Sequence, residues 1–319
     1  MGHPSFVRGQ EPPVERRRGT CSAPHPLPPL SRRVCLLEIM KRVITAAVLV
    51  PLVLLLLLRG SFLLVVVATA LVAELATWEY ISIADAHGSR IPRNLVLIAI
   101  AVLFAATFHN PFLVLPVIGL CSLVLLIVCS FRSPLERVLP DTAFSVFALI
   151  YTGLTLVTLP LVWVQQDGPS LLVFLFCIVW TGDIAALYVG RNFGRRKLSP
   201  RISPNKSWEG SAASLAGSLL IAAALVALSR ALEDRLIFTL HFARPLARWL
   251  VLAVVLNLFA QVGDLVESAI KRGAGVKDSG AMLPGHGGIL DRIDALLLAA
   301  PVLWYAQWIQ EYFERVSLR

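Results

Sequence analysis

Charge is scarce in this chain. Asp, Glu, Lys and Arg make up 15% of its 319 residues, against about a quarter in a soluble domain. With 57% of residues hydrophobic, that scarcity excludes an ordinary soluble globule. Metal-binding cysteine patterns are missing too. The five cysteines (Cys21, Cys35, Cys121, Cys129 and Cys177) show no CxxC and no Cys/His ligand spacing, so neither a disulfide nor a cysteine metal site is assigned. Three of them lie in or beside apolar runs, where a free thiol behaves as a small hydrophobe. No inverted repeat is visible, which weighs against a transporter built from two related halves.

What the chain has in abundance is long apolar runs, such as VITAAVLVPLVLLLLL (43–58) and LVLIAIAVLFAATF (95–108). A helix needs roughly 20 mostly apolar residues to cross about 30 Å of hydrocarbon. Spans are predicted at about 43–59, 61–83, 94–109, 111–130, 142–163, 170–190, 211–229, 247–270 and 289–310. The expected fold is all-α, a polytopic integral membrane protein with about nine transmembrane helices.

Residues 1–39 are different: rich in Pro and Arg, without periodicity, and expected to be a disordered leader. SRRVCLL (31–37) resembles a twin-arginine export signal, but Glu38, Lys41 and Arg42 interrupt its path to the apolar run. MKRV from Met40 reads as a signal-anchor start, so the membrane domain is expected over 40–319.

With Lys41 and Arg42 inside, the loops at 85–93, 131–141, 190–210 and 271–288 face the cytoplasm, and all four are net basic. The loops at 59–61, 109–111 and 165–169 carry almost no Lys or Arg. Loop 230–246 breaks the pattern with Arg230, Arg235 and Arg244 against Glu233 and Asp234. This topology accounts for the net charge of +9 without a nucleic-acid partner. It predicts a multi-pass protein of the inner, cytoplasmic membrane whose two most chemically loaded loops share the cytoplasmic face. Anionic head groups or phosphorylated substrates gain from the same charge.

Three polar constellations interrupt the grease. In QVGDLVESAIKR (261–272), Asp264, Glu267, Ser268 and Lys271 fall on one helical stripe. A carboxylate inside a membrane segment is expensive and usually faces a cavity, a partner or an ion. Pairing of Glu267 with Lys271, and snorkelling of Lys271 and Arg272, account for those residues structurally. Asp264 is left without a local cation, which favours function.

In KDSGAMLPGHGGILDRID (277–294), Gly285, Gly287 and Gly288 let backbone approach a ligand or take positive φ. Asp291 and Asp294 follow, with Arg292 between them. Helix capping explains a single Asp better than the whole run HGGILDRID. The third constellation, WTGDIAALYVGRNFGRRKLSPRISPNKSWEGS (180–211), places Asp183 in an apolar run. It then leads through Ser203, Asn205 and Lys206 to Ser207, a candidate cap for the next helix. A basic loop before a capped helix accounts for Arg195, Arg196 and Lys197. The sharper alternative is a triphosphate site, built from Lys and Arg donors and the backbone N–H groups of a helix start.

Carboxylates ringed by Lys, Arg, Ser and Asn suit Mg²⁺, which prefers oxygen ligands shared with phosphates. The residues thus point to phosphoryl or nucleotidyl transfer to a lipid, without naming the nucleotide. A transporter with an ionisable midplane site at Asp183 and Asp264 is the competing class.

SAIKRGAGVKDSGAMLPGHGGILDRID (268–294) resembles the hallmark motif of phosphatidate cytidylyltransferases, the CDP-diacylglycerol synthases. Its fixed positions are met by Ser268, Lys271, Arg272, Lys277, Asp278, Gly280, Pro284, His286, Gly287, Gly288, Asp291, Arg292 and Asp294. GDLVES and SPNKSWEG are similar to the family as well. The likeness is specific over a catalytic half at about 180–294, general over 40–180, and absent from 1–39. It implies transfer of CMP from CTP to phosphatidate, giving CDP-diacylglycerol and diphosphate. By resemblance, Asp264 and Asp291 hold Mg²⁺, with a second ion left open, and Lys271 and His286 join them in the catalytic set. Lys206, Lys271, Arg272 and Lys277 are expected at CTP or lipid phosphates. Asp183, Ser203, Asn205, Asp278, Gly287, Gly288, Arg292 and Asp294 are expected among the substrate-binding residues. A homodimer through membrane spans is implied by resemblance alone. Another lipid phosphate, isoprenoid or ether-linked, would fit the same nucleotide half.

Overall fold

The protein is described by a computed structural model covering residues 47–233, 240–242, 245–280 and 287–317. By compactness the chain divides into Met1–Lys41 and Arg42–Arg319, and all of the described residues lie in the second unit. The expected leader and the Met40 start lie outside the described residues.

Helices dominate, as hydrocarbon requires: a segment that crosses it must satisfy its own backbone hydrogen bonds. They are α1 (Ala47–Arg59), α2 (Phe62–Ala86), α3 (Arg93–His109) and α4 (Val114–Arg132). Next come α5 (Val138–Ala148) and α6 (Thr155–Trp163), then α7 (Gly168–Phe193), α8 (Trp208–Glu233), α9 (Leu246–Gly273) and α10 (Leu290–Ser317). Among the described residues, six helical segments are long and apolar enough to cross a membrane. The α1 and α3 helices are apolar but shorter. The α10 helix has the length but is polar at both ends, with Asp291, Arg292 and Asp294 at one and Gln307, Gln310 and Glu311 at the other. The expected count of nine spans is therefore not reached by length and composition, while the all-α membrane class stands.

Local chemistry sets the breaks. Ser61 caps α2 by accepting from Leu64 N at 3.3 Å. Asn110 accepts from Phe112 N at 3.0 Å and starts the short turn before α4. The turn before α7 places Asp167 at φ 58°. The stretch expected as one span at 142–163 is interrupted: Leu149–Leu154 forms a π turn between α5 and α6. There Thr152 Oγ1 lies 2.6 Å from Thr77 Oγ1 of α2 in a buried contact.

The expected loop after α7 contains a small hairpin. Strand β1 (Lys197–Ser199) pairs antiparallel with β2 (Ser203–Ser207), Lys197 opposite Ser207 and Ser199 opposite Ser203. Pro204 is tolerated because a two-stranded ribbon is all edge. Ser207 caps α8 as expected, accepting from Gly210 N at 3.1 Å.

The α7, α8, α9 and α10 helices pack in sequence, α10 closes on α6, and α2 packs against α3 and α6. Large apolar side chains such as Leu115, Leu123 and Ile127 point outward, the pattern of a surface facing lipid. Two of the loops expected at the cytoplasmic face are tied together. Buried Asp141 accepts from Arg90 N at 2.9 Å and from Ser133 Oγ at 2.6 Å.

Candidate active site

A cavity of about 620 Å³ opens where α7, the hairpin, α8 and α9 meet. Asp183 and Arg191 reach it from α7, Ser203, Asn205 and Lys206 from β2, and Gln261 and Asp264 from α9. Its central contact is an ion pair, Lys206 Nζ to Asp264 Oδ2 at 2.5 Å. Asp264, which has no cation within a turn of it on α9, receives one from the hairpin. Its other oxygen is 3.5 Å from Ser268 Oγ. Asp183 lies within electrostatic range of both Asp264 and Lys206.

A buried polar network underlies this cavity. Asn257 Nδ2 donates to Ser214 Oγ at 2.8 Å and to Ser218 Oγ at 2.9 Å, joining α9 to α8. Gln261 Nε2 donates to Asn257 Oδ1 at 2.7 Å, and Ser211 Oγ donates to Gln261 Oε1 at 2.5 Å. Between apolar helices such side-chain bonds give both cohesion and register. Sequence reasoning passed over Asn257 and Gln261, although both lie on the α9 stripe one and two turns before Asp264.

One turn beyond Asp264 lies a second cluster. Lys271 Nζ sits 2.6 Å from Glu267 Oε2 and 2.5 Å from Asp291 Oδ1, tying α9 to the start of α10. The expected Glu267–Lys271 pair thus forms and is extended by Asp291. The second Asp291 oxygen accepts from Gly288 N at 3.0 Å and Ser279 N at 3.2 Å. Gly287 has φ +77°, the left-handed backbone that its turn requires.

A residue missed from the sequence organises this end. Glu79, buried in α2, accepts from Ile289 N at 3.0 Å and from Leu290 N at 2.8 Å, capping α10. It also accepts from Ser279 Oγ at 2.9 Å. A Cβ added at Gly288 would lie 2.3 Å from Glu79 Oε2 and 1.9 Å from Ser279 Oγ. One added at Gly280 would lie 2.7 Å from Glu79 Oε1. Gly280 and Gly288 thus leave room for a carboxylate of the protein itself. The signal was available: an acidic residue inside the apolar run LVAELATWEY asks for a partner.

These two clusters sit at the heart of the most distinctive segments of the chain, and residues 40–309 match the profile of the cytidylyltransferase family. The chain belongs to the cytidylyltransferase family. It is similar to a protein of Pseudomonas aeruginosa named phosphatidate cytidylyltransferase, 36% identical over 287 residues, covering 84% of this chain and 98% of that protein. A protein of the same name from Brucella suis is 43% identical over 161 residues, covering 49% and 54% of the two chains. One from Staphylococcus saprophyticus is 39% identical over 165 residues, covering 51% and 58%. The match thus spans about half the length of the Brucella relative and nearly all of the Pseudomonas one.

In this cytidylyltransferase-family chain the expected site residues separate into groups. Asp183, Ser203, Asn205, Lys206 and Asp264 share the cavity. Lys271, Asp291, Gly287 and Gly288 share the second cluster. Asp294 joins the two, since the charges of Asp264, Asp183 and Glu267 all bear on it. Arg272, Lys277, Asp278 and Arg292 lie at the exposed surface, with Arg272 Nη1 donating to Val276 O at 3.2 Å. His286 falls outside the described residues. The two carboxylates expected to share a metal carry different cations, Lys206 on Asp264 and Lys271 on Asp291. Among the described residues no three His, Cys, Asp or Glu side chains converge as a ready metal-binding group. Among the described residues, Glu267 Oε1 and the Tyr151 hydroxyl are buried without a hydrogen-bond partner, and the charges of Glu267, Asp294 and Asp264 bear on that hydroxyl.

Proposed function

We propose that the chain transfers CMP from CTP to phosphatidate, giving CDP-diacylglycerol and diphosphate, at the cytoplasmic face of a bacterial inner membrane. The observation that carries this reading is the Lys206–Asp264 pair, set in a cavity with Asp183, Arg191, Ser203 and Asn205. Cations and hydroxyls there suit phosphate oxygens, and the carboxylates suit a cation that travels with them. The names of the relatives support the choice of nucleotide and lipid. The basic loops support the cytoplasmic orientation.

Both reactants are anions, so the main difficulty is bringing one phosphate onto another. Lys206, Lys197 and Arg191 line the cavity and would bind and orient the triphosphate. The lipid phosphate is already ionised and needs little help from a general base. Lys271, held between Glu267 and Asp291, places an ammonium about two helical turns further along α9, where a lipid phosphate would compete with those carboxylates for it. The Asn257–Gln261 network fixes the rotation of α9, and so the direction of Asp264.

Mg²⁺ fits the donor chemistry at Asp264, whose Oδ2 already accepts a cation in the form of the Lys206 ammonium. Asp264 and Asp291 would hold it, and Asp291 is the less available of the two, because both of its oxygens are engaged. Bound there, the ion would neutralise phosphate charge and support in-line attack on the α-phosphorus of CTP.

The test is direct: purified protein, labelled CTP, Mg²⁺ and phosphatidate. A labelled CDP-lipid is expected. Product with a different lipid phosphate and none with phosphatidate would overturn the choice of substrate. Solute uptake in vesicles without CDP-lipid formation would favour transport.

A further inference from the structure

A second hollow, of about 470 Å³, lies on the other side of α9 from the polar cavity. Tyr80 and Ala84 of α2, Phe144 and Phe147 of α5, and Ile270 and Gly273 of α9 line it. At 100° per residue, Ile270 and Gly273 lie on the face of α9 opposite Asp264. Lys271, between them in sequence, turns to Glu267 and Asp291. One helix therefore carries an apolar groove on one face and, on the other, the polar cavity with the Lys271 ammonium about two turns beyond Asp264.

The groove and the motif share a second wall as well. Tyr80 follows Glu79, which caps α10 and holds Ser279. Tyr80 and Phe147 pack in turn on Tyr151, with ring centroids 6.2 and 5.2 Å apart. His87, also in the lining, sits at an exposed position at the end of α2, 5.5 Å from the ring of Phe144. The groove is built from the last turns of α2 and α9, helix ends assigned to the basic side of the membrane, and from the second half of α5. Phe147, in its lining, and Ile150, in the π turn that follows α5, are 40% and 41% exposed. Its volume falls in the range of small-molecule sites, about 300–1,000 Å³.

We propose that this groove receives one acyl chain of the lipid substrate, entering sideways from the bilayer while its phosphate meets Lys271. The proposal rests on the phosphatidate reading above. It commits to the substrate's own chain rather than to passing bilayer lipid. Chain length then becomes a specificity determinant, read by Phe144, Phe147 and Ile270.

The experiment fills the groove from opposite walls. A Cβ at Gly273 meets nothing within 4 Å, so Gly273→Phe can enter without a backbone clash. Ala143→Trp, from an exposed lining position on α5, is the independent variant. Each is assayed with CTP and either dioleoyl- or dihexanoyl-phosphatidate. KM for the long-chain lipid is expected to rise roughly tenfold, with the short-chain lipid changed less than about twofold, since only the long chain loses apolar burial. A phosphatidate with a diazirine on one acyl chain should label Phe144 or Phe147 in the wild type and not in the filled variants. Equal effects on both lipids, or labelling confined to the outer lipid-facing surface, would overturn the groove and point to bilayer lipid. Groove labelling without CDP-lipid formation would support the groove and sink the cytidylyl reading. Turnover with unchanged chain-length dependence and no groove labelling would do the reverse.

Discussion

Glu79 Oε2 accepts from Ser279 Oγ at 2.9 Å, a buried contact across 200 residues of chain that fastens α2 to the glycine-rich segment before α10. The same carboxylate takes the first N–H groups of α10, which would otherwise be buried without acceptors. Glu79→Ala leaves three donors without their acceptor, the two buried ones (Ser279 Oγ and Leu290 N) at about 1–3 kcal/mol each. Glu79→Gln restores one acceptor but turns an N–H₂ towards donors. Both variants are expected to lower the unfolding temperature in detergent, with Glu79→Ala the worse. If Glu79 acts through position alone, kcat falls while KM for CTP holds. A rise in KM for CTP with unchanged stability would instead put Glu79 at the nucleotide.

The Lys206–Asp264 pair calls for a different signature. Asp264→Asn removes the charge and keeps the shape, and should reduce turnover by about 10²-fold or more, as loss of one electrostatic contact in a closed site does. Mn²⁺ titration followed by electron paramagnetic resonance should show weakened ion binding in Asp264→Asn. Lys206→Gln should raise KM for CTP and leave Mn²⁺ affinity equal or tighter, because it frees Asp264 Oδ2. Loss of Mn²⁺ binding in Lys206→Gln would break the assignment of Lys206 to phosphate.

Tyr151 offers a test of stability. Its hydroxyl is buried and without a partner, so Tyr151→Phe should leave the unfolding temperature unchanged or raise it. Tyr151→Ala should cost about 3–5 kcal/mol by opening a cavity beside Tyr80 and Phe147. A clear destabilisation by Tyr151→Phe would show that the hydroxyl is bonded in the folded protein.

The helices were legible in the sequence because hydrocarbon leaves few alternatives to long apolar helical runs. So was the missing local cation of Asp264, since none lay within a turn of it. Its pairing with Lys206 was not, because that contact depends on a hairpin of two very short strands that carry no clear alternation. The π turn at Leu149–Leu154 was equally hidden, since one extra residue per turn leaves the hydropathy of a span untouched. Glu79 escaped notice because its partners lie at the far end of the chain. The rule that exposed Asp183 and Asp264 applies to it just as well.

The glycine pattern before α10 can be tested as a coupling. Gly288→Ala places a methyl against Glu79 Oε2 and Ser279 Oγ, both buried, so the segment must move. Gly119→Ala in α4, with nothing within 4 Å, is the harmless control. If room for Glu79 is what Gly288 supplies, shortening the acid should partly relieve the clash. The double variant Gly288→Ala/Glu79→Asp should then be more stable than the sum of its parts predicts, by about 0.5–3 kcal/mol for residues in contact. Thermal unfolding of the four proteins in one detergent, with CDP-lipid turnover measured alongside, supplies both readouts. Recovery of stability and turnover together would make Gly288 a packing position beneath the site. Strict additivity, with turnover lost and stability kept in Gly288→Ala, would return that glycine to a direct role at the phosphates.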